Sequence, residues 1–103
     1  MIKPIMLVKI HNSYRTVIAI CDSELIGKTF EEGNRCIFVN PSFFHGEEKS
    51  KSEVLEIIKK GAGEDCTFNI VGKDAATLAL EAGIINKEGV TTIQGVPIAL
   101  VLL

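Results

Sequence analysis

The sequence predicts an α/β (α+β) fold: a single compact domain, residues 1–103, on a mixed sheet of about five to six strands, with an N-terminal β-hairpin, a βαβ unit and two main helices. Three observations carry this expectation. Short runs rich in Val, Ile and Leu recur at residues 5–10, 15–21, 66–71 and 98–102. One well-marked amphipathic stretch, with its own start and stop signals, begins at Ser50. A strand, helix, strand order then runs from Cys66 to Ile93, the pattern of a right-handed crossover between parallel strands.

The elements follow in order. Residues 5–10 and 15–21 are near-continuous apolar strands joined by the polar turn His11-Asn12-Ser13-Tyr14, a hairpin buried on both faces, with Met1 to Pro4 as its lead-in. Asp22 reads as the N-cap of one short helical turn and Gly27 as its terminator. Glu31-Glu32-Gly33-Asn34 reads as a turn, residues 35–39 as a third strand, and Asn40-Pro41 as its end. Residues 42–49 read as a loop.

Ser50 and Glu53 have the spacing of a capping box. Val54, Leu55, Ile57 and Ile58 make one apolar stripe, Lys59 and Lys60 suit the negative end of the helix dipole, and Gly61 is the expected stop. After the strand at 66–71, Gly72 and Lys73 open a second helix, 74–82, thin enough through its alanines to lie close on a sheet and closed by Gly83. Residues 90–93 and 98–102 are the last strands, with Gln94-Gly95-Val96-Pro97 turning between them. Both helices are expected on one face of the sheet.

Composition narrows the class of function. Apolar residues make up 47% and charged residues 23%, with no tryptophan, so the core is aliphatic with five phenylalanines. The net charge of −2 offers no general basic excess for nucleic acid. Lys3, Lys9, His11 and Arg15 fall near one end of the hairpin, and solubilising charge explains them best. Cys21, Cys36 and Cys66 are odd in number and unclustered. They read as buried free thiols in a reducing, cytoplasmic setting. The apolar runs at the two ends are too short for a signal-peptide core or a membrane span, so no membrane partner is expected.

Four short motifs occur in order: Cys21-Asp22 with Leu25 and Gly27; Phe44-His45-Gly46-Glu47; Asn69-Ile70-Val71-Gly72; and Ile93-Gln94-Gly95-Val96-Pro97. Together they resemble a family of small archaeal proteins, domain-of-unknown-function family 424, from about residue 5 to the C-terminus. The resemblance implies an archaeal, cytosolic protein of compact α/β fold, with a loose link to information processing. It brings no established activity and therefore no catalytic residue. Members of the family often carry tyrosine where this chain has Phe44, which slightly favours packing over chemistry at that position.

Candidate sites are weighed on their residues. Gly27-Lys28-Thr29 mimics the end of a phosphate loop. Asp22 stands where that loop needs its first glycine, and no long helix follows. Gly72-Lys73, between a strand and a helix, has the amides for an anion contact, although Asp74 opposes one and reads equally as the helix cap. Phe43, Phe44 and His45 in a polar loop either anchor it to the core or form a partner patch. Asn69, in mid-strand, needs a hydrogen-bond partner and is expected to tie a loop to the sheet. Cys21 or Asp22 with His45 could make a small thiol-based enzyme, but Cys21 closes an apolar strand. The cysteines and histidines lack the paired spacing of a zinc site, and no metal or cofactor is expected.

The expectation is therefore a non-catalytic binding module, for a protein or an RNA partner, associated with RNA or the translation machinery. Its candidate binding residues are Asp22, Phe43, Phe44, His45, Gly46, Glu47, Asn69, Gly72, Lys73 and Gly95. The alternatives are the small enzyme and a self-associating protein, a homodimer rather than a monomer, paired through an edge strand at residues 98–102.

Overall fold

A computed structural model describes residues 5–12 and 14–102. The expected lead-in through Lys3 and Pro4, and Ser13 of the hairpin turn, lie outside the described residues. The main sheet has six strands: β1 (Met6–His11), β2 (Val17–Asp22), β5 (Glu47–Lys49), β6 (Thr67–Val71), β7 (Thr91–Ile93) and β8 (Val96–Val101), in the order β5-β1-β2-β6-β8-β7. A separate two-stranded sheet pairs β3 (Thr29–Glu32) with β4 (Arg35–Phe38). The helices are α1 (Pro41–Phe44), α2 (Lys51–Gly63) and α3 (Lys73–Glu81). The sheet is mixed: β2 and β6 run parallel at its centre and every other pair is antiparallel.

Side-chain alternation along the strands gives the sheet two unlike faces. Met6, Val8, Ile18, Ile20, Phe68 and Ile70 point to α2 and α3, which bury Val54, Ile58, Ala75 and Ala79 against them. Leu7, Ala19, Cys21 and Val71 point the other way, under Val39, Phe44 and the β3–β4 hairpin. Both main helices share one face, as expected.

The Ser50 capping box forms: Ser50 Oγ accepts from the Glu53 amide, and the Glu53 carboxylate accepts from the Ser50 amide. Gly61 does not stop α2, which runs on to Gly63. It lets the helix lie close on the sheet instead, since a Cβ there would sit 2.8 Å from both Ile18 Cδ1 and Phe68 Cζ.

Several expectations are corrected. Residues 42–49 are not a loop: Asn40 caps α1, with Pro41 as its first residue, and β5 then pairs with β1. Residues 35–39 leave the main sheet, because Glu31-Glu32 is strand rather than turn and the chain reverses at Gly33, with φ of 64°. The β7–β8 turn is only Gln94-Gly95, with φ of 52° and 77°, and Val96 and Pro97 already belong to β8. The crossover from β6 through α3 reaches β7, which runs in the same sense, but β8 lies between them. β8 is thus not an edge strand, and only Ala99 to Val101 extend past the end of β7. Of the three cysteines, Cys36 is exposed, since it lies on the outer side of β4.

Candidate binding groove

The ten candidate residues separate into three places. The first is the end of the sheet where the parallel strands β2 and β6 finish. Asp22, Gly72, Lys73 and Gly95 line a small cavity of about 250 Å³ there, with Glu24 and Asp74. Asp22 does not cap the short 3₁₀ turn that follows it; no side-chain bond forms there. Its carboxylate reaches across to the start of α3 and accepts from the Asp74 and Ala75 amides at 3.1 and 2.9 Å. The amides expected to hold an external anion are thus already taken by a residue of the same chain, and Asp74 is not the cap. Gly72 makes this approach possible: its φ is 115°, and a Cβ would collide with the Asp22 carboxyl. Burial raises the Asp22 pKa above its ordinary value, against the pull of the two amides, and the charges of Asp74 and Glu24 add to the rise. Gly95 is held by turn geometry, and its neighbour Gln94 clasps the β3–β4 hairpin, accepting from the Glu31 amide and donating its own amide to Glu32.

The second place is the join of α1 to β1. Gly46 packs directly on the β1 backbone, where a Cβ would collide with the Val8 carbonyl. Glu47 opens β5 and pairs with Lys49 at 3.0 Å on the surface. His45 is exposed, whereas Cys21 lies inside the cluster of Leu7, Ala19, Val39 and Phe44. Cys21 is fully buried, and its thiol pKa is pushed up to about 12, first by burial and then by the charge of Asp22. That is the reverse of an activated nucleophile. Among the described residues no three His, Cys, Asp or Glu side chains gather to hold a metal ion.

The third place is a groove of about 340 Å³ that brings Phe43, Phe44 and Asn69 together. Its geometry begins on β1. Lys9 donates to the Ser42 carbonyl at 2.8 Å, and the His11 ring lies 2.9 Å from the Phe43 carbonyl through Nε2. The same ring stacks on Phe43 with centroids 4.5 Å apart, and Phe43 meets Phe44 edge-on at 5.1 Å. Two residues read as loose surface charge therefore hold a short aromatic helix against the sheet. Phe44 is buried, the core anchor; Phe43 is half-buried and forms a wall.

β4 makes the second wall. It crosses from Arg35, whose guanidinium donates to Thr91 Oγ1 on β7, to Val39, buried among Leu7, Ala19 and Cys21. The hairpin and α1 together leave part of this sheet face uncovered, with Asn69 and Leu100 facing each other across β6 and β8. Phe38 and Leu100 expose 51% and 59% of their surface at its rim. Asn69 does not tie a loop to the sheet. Among the described residues its side-chain amide has no hydrogen-bond partner, and it opens on the groove. Sequence reasoning missed Phe38 and Leu100. Leu100 continues the alternation of β8, Phe38 borders the groove from the end of β4, and only the crossing of β4 over the sheet shows that this face is partly bare.

This arrangement, a mixed sheet with helices on one face and a hairpin and aromatic turn partly covering the other, defines an α+β protein with an open groove. The chain belongs to DUF424, described as a protein of unknown function, whose family model matches residues 10–103. The fold is similar to the crystal structure of an uncharacterized conserved protein from Methanopyrus kandleri, at a TM-score of 0.83 and 22% identity, covering 95% of this chain and 92% of that one. No curated protein matches the chain. No helix among the described residues is long and apolar enough to cross a membrane.

Proposed function

We propose that the chain is a binding module of an archaeal cytosol, and that its groove receives an apolar side chain of a partner protein. The observation that supports this most is the unpartnered Asn69 carboxamide at the floor of a groove whose walls are Phe38, Phe43 and Leu100. A mid-strand amide left without a protein partner offers an NH2 donor group and a carbonyl acceptor to a guest backbone, while the aromatic walls supply contact area. The locked Asp22 and the buried, high-pKa Cys21 argue against the small-enzyme alternative. Free thiols in all three cysteines suit a reducing compartment.

An unpaired RNA base is the second reading. Exposed Phe38 beside an amide suits stacking with edge recognition. No cation lines the groove, however, which favours a protein. The test is a photo-crosslinking residue at position 38, irradiated in a cell extract with and without ribonuclease. A discrete protein adduct that disappears on Asn69→Leu is the expected result. An adduct lost only with ribonuclease establishes the RNA reading, and labelling unchanged by Asn69→Leu overturns the groove as the site.

A further inference from the structure

We infer that the outer face of α3 is a second contact surface, built for an acidic segment of a partner protein that also carries an apolar side chain. It rests on a part of the molecule remote from Phe38 and independent of the groove there. Lys73, Ala76, Thr77 and Leu80 recur at helical spacing and so share one face of α3. Opposite them stand Lys87, on the 3₁₀ turn after the helix, with Val90 and Pro97. Between the two walls lies a cavity of about 430 Å³.

Its chemistry is lopsided. The floor is apolar, through Ala76, Leu80, Val90 and Pro97, and two ammonium groups rim it with no carboxylate in the lining. Among the described residues neither Lys73 nor Lys87 makes an ion pair; the ion pairs present join Arg35 to Glu32 and Lys49 to Glu47 and Glu53. Both lysines are exposed. Lys73 is also the first residue of α3, at the positive end of the helix dipole, where a cation is unfavourable. Two lysines over an apolar trough whose lining holds no carboxylate favour an anionic partner at this spot, in a chain whose net charge is −2. Nucleic acid would use the cations and leave the apolar floor idle. A protein segment with a leucine or similar residue between carboxylates uses both.

The probe is a synthetic peptide of alternating leucine and glutamate, titrated into the ¹⁵N-labelled full chain, with a leucine-lysine peptide and oligouridylate as controls. Saturable shifts are expected at the Lys73, Thr77, Leu80 and Lys87 amides, suppressed by high salt. Lys73→Glu with Lys87→Glu is expected to abolish them while the remaining amide resonances keep the positions of the folded chain. Leu80→Ser is expected to weaken the peptide about tenfold. Phe38→Ala is expected to leave the titration intact, which separates this surface from the groove. Shifts that survive the double charge reversal, an absence of saturable shifts with the acidic peptide, or the same shifts with oligouridylate would each overturn the proposal.

Discussion

The Asp22 carboxyl occupies the space that a side chain at position 72 would need, and Gly72 at φ 115° is what allows that carboxyl to reach the amides of Asp74 and Ala75. The two residues, distant in sequence, form one device that joins the end of β2 to the start of α3.

Removing the carboxyl leaves two amides of α3 without partners. Asp22→Ala is expected to lower stability by about 1–3 kcal/mol, with Asp22→Asn milder because one oxygen remains. Urea unfolding of the two variants checks the order.

Gly72→Ala adds a collision with Asp22 to a backbone conformation that L-residues rarely adopt, for an expected loss of roughly 1–3 kcal/mol. In Asp22→Ala/Gly72→Ala the collision disappears while the backbone strain persists. The double variant is therefore expected to be less damaged than the sum of the singles, by about 0.5 kcal/mol or more in a double-mutant cycle. Strict additivity would contradict the shared space.

Asp22 also sets a pH dependence. Its folded pKa lies above its unfolded one, chiefly through burial, so the folded chain holds this proton more tightly. The resulting contribution is full below the unfolded carboxylate range near ~3.9 and is lost as pH rises through the folded value. The stability of the native protein relative to Asp22→Asn is expected to fall with rising pH across that window. Denaturation at a series of pH values reads it; a flat or rising difference would refute it.

The aromatic segment divides its labour. Phe44→Ala is expected to cost about 3–5 kcal/mol as a buried truncation, whereas Phe38→Ala and Leu100→Ala at the rim change stability by only about 0.5 kcal/mol. Thermal melts of the three variants separate anchor from rim.

Thiol accessibility gives a direct check on packing. Cys36 is expected to react at once with a thiol reagent in the native protein, whereas Cys21 and Cys66, both buried and both raised in pKa by burial, react only when the chain unfolds. Mass spectrometry of labelled peptides identifies each site.

The central strands and main helices were legible because their signals are local. The Ser50 capping box, the near-continuous apolar run of β2 and the alanines of α3 all mean the same thing in sequence and in space. What was not legible depended on distant partners. Asp22 has the chemistry of an N-cap, and its carboxylate serves the first amides of the helix that begins after Gly72 rather than the turn beside it. Lys9 and His11 look like solvated charge until α1 folds over them. Glu47 to Lys49 carry no apolar pattern, because an edge strand needs only a neighbour's backbone. Of the groove, Phe43, Phe44 and Asn69 were visible as residues out of keeping with their surroundings. Their meeting place was not visible, since it is defined by the path of β4.

The parallel pairing of β2 with β6 has a consequence for the growing chain. β1 and β2 leave the ribosome together as a hairpin, yet β2's other flank stays open until β6 emerges, with β3, β4, α1, β5 and α2 all synthesised in between. Throughout that interval a strand destined to be buried along nearly its whole length, Val17–Asp22, has one unsatisfied edge. The nascent domain thus passes through a stage in which its future centre is its most adhesive surface, and timely arrival of β6 protects it from its neighbours.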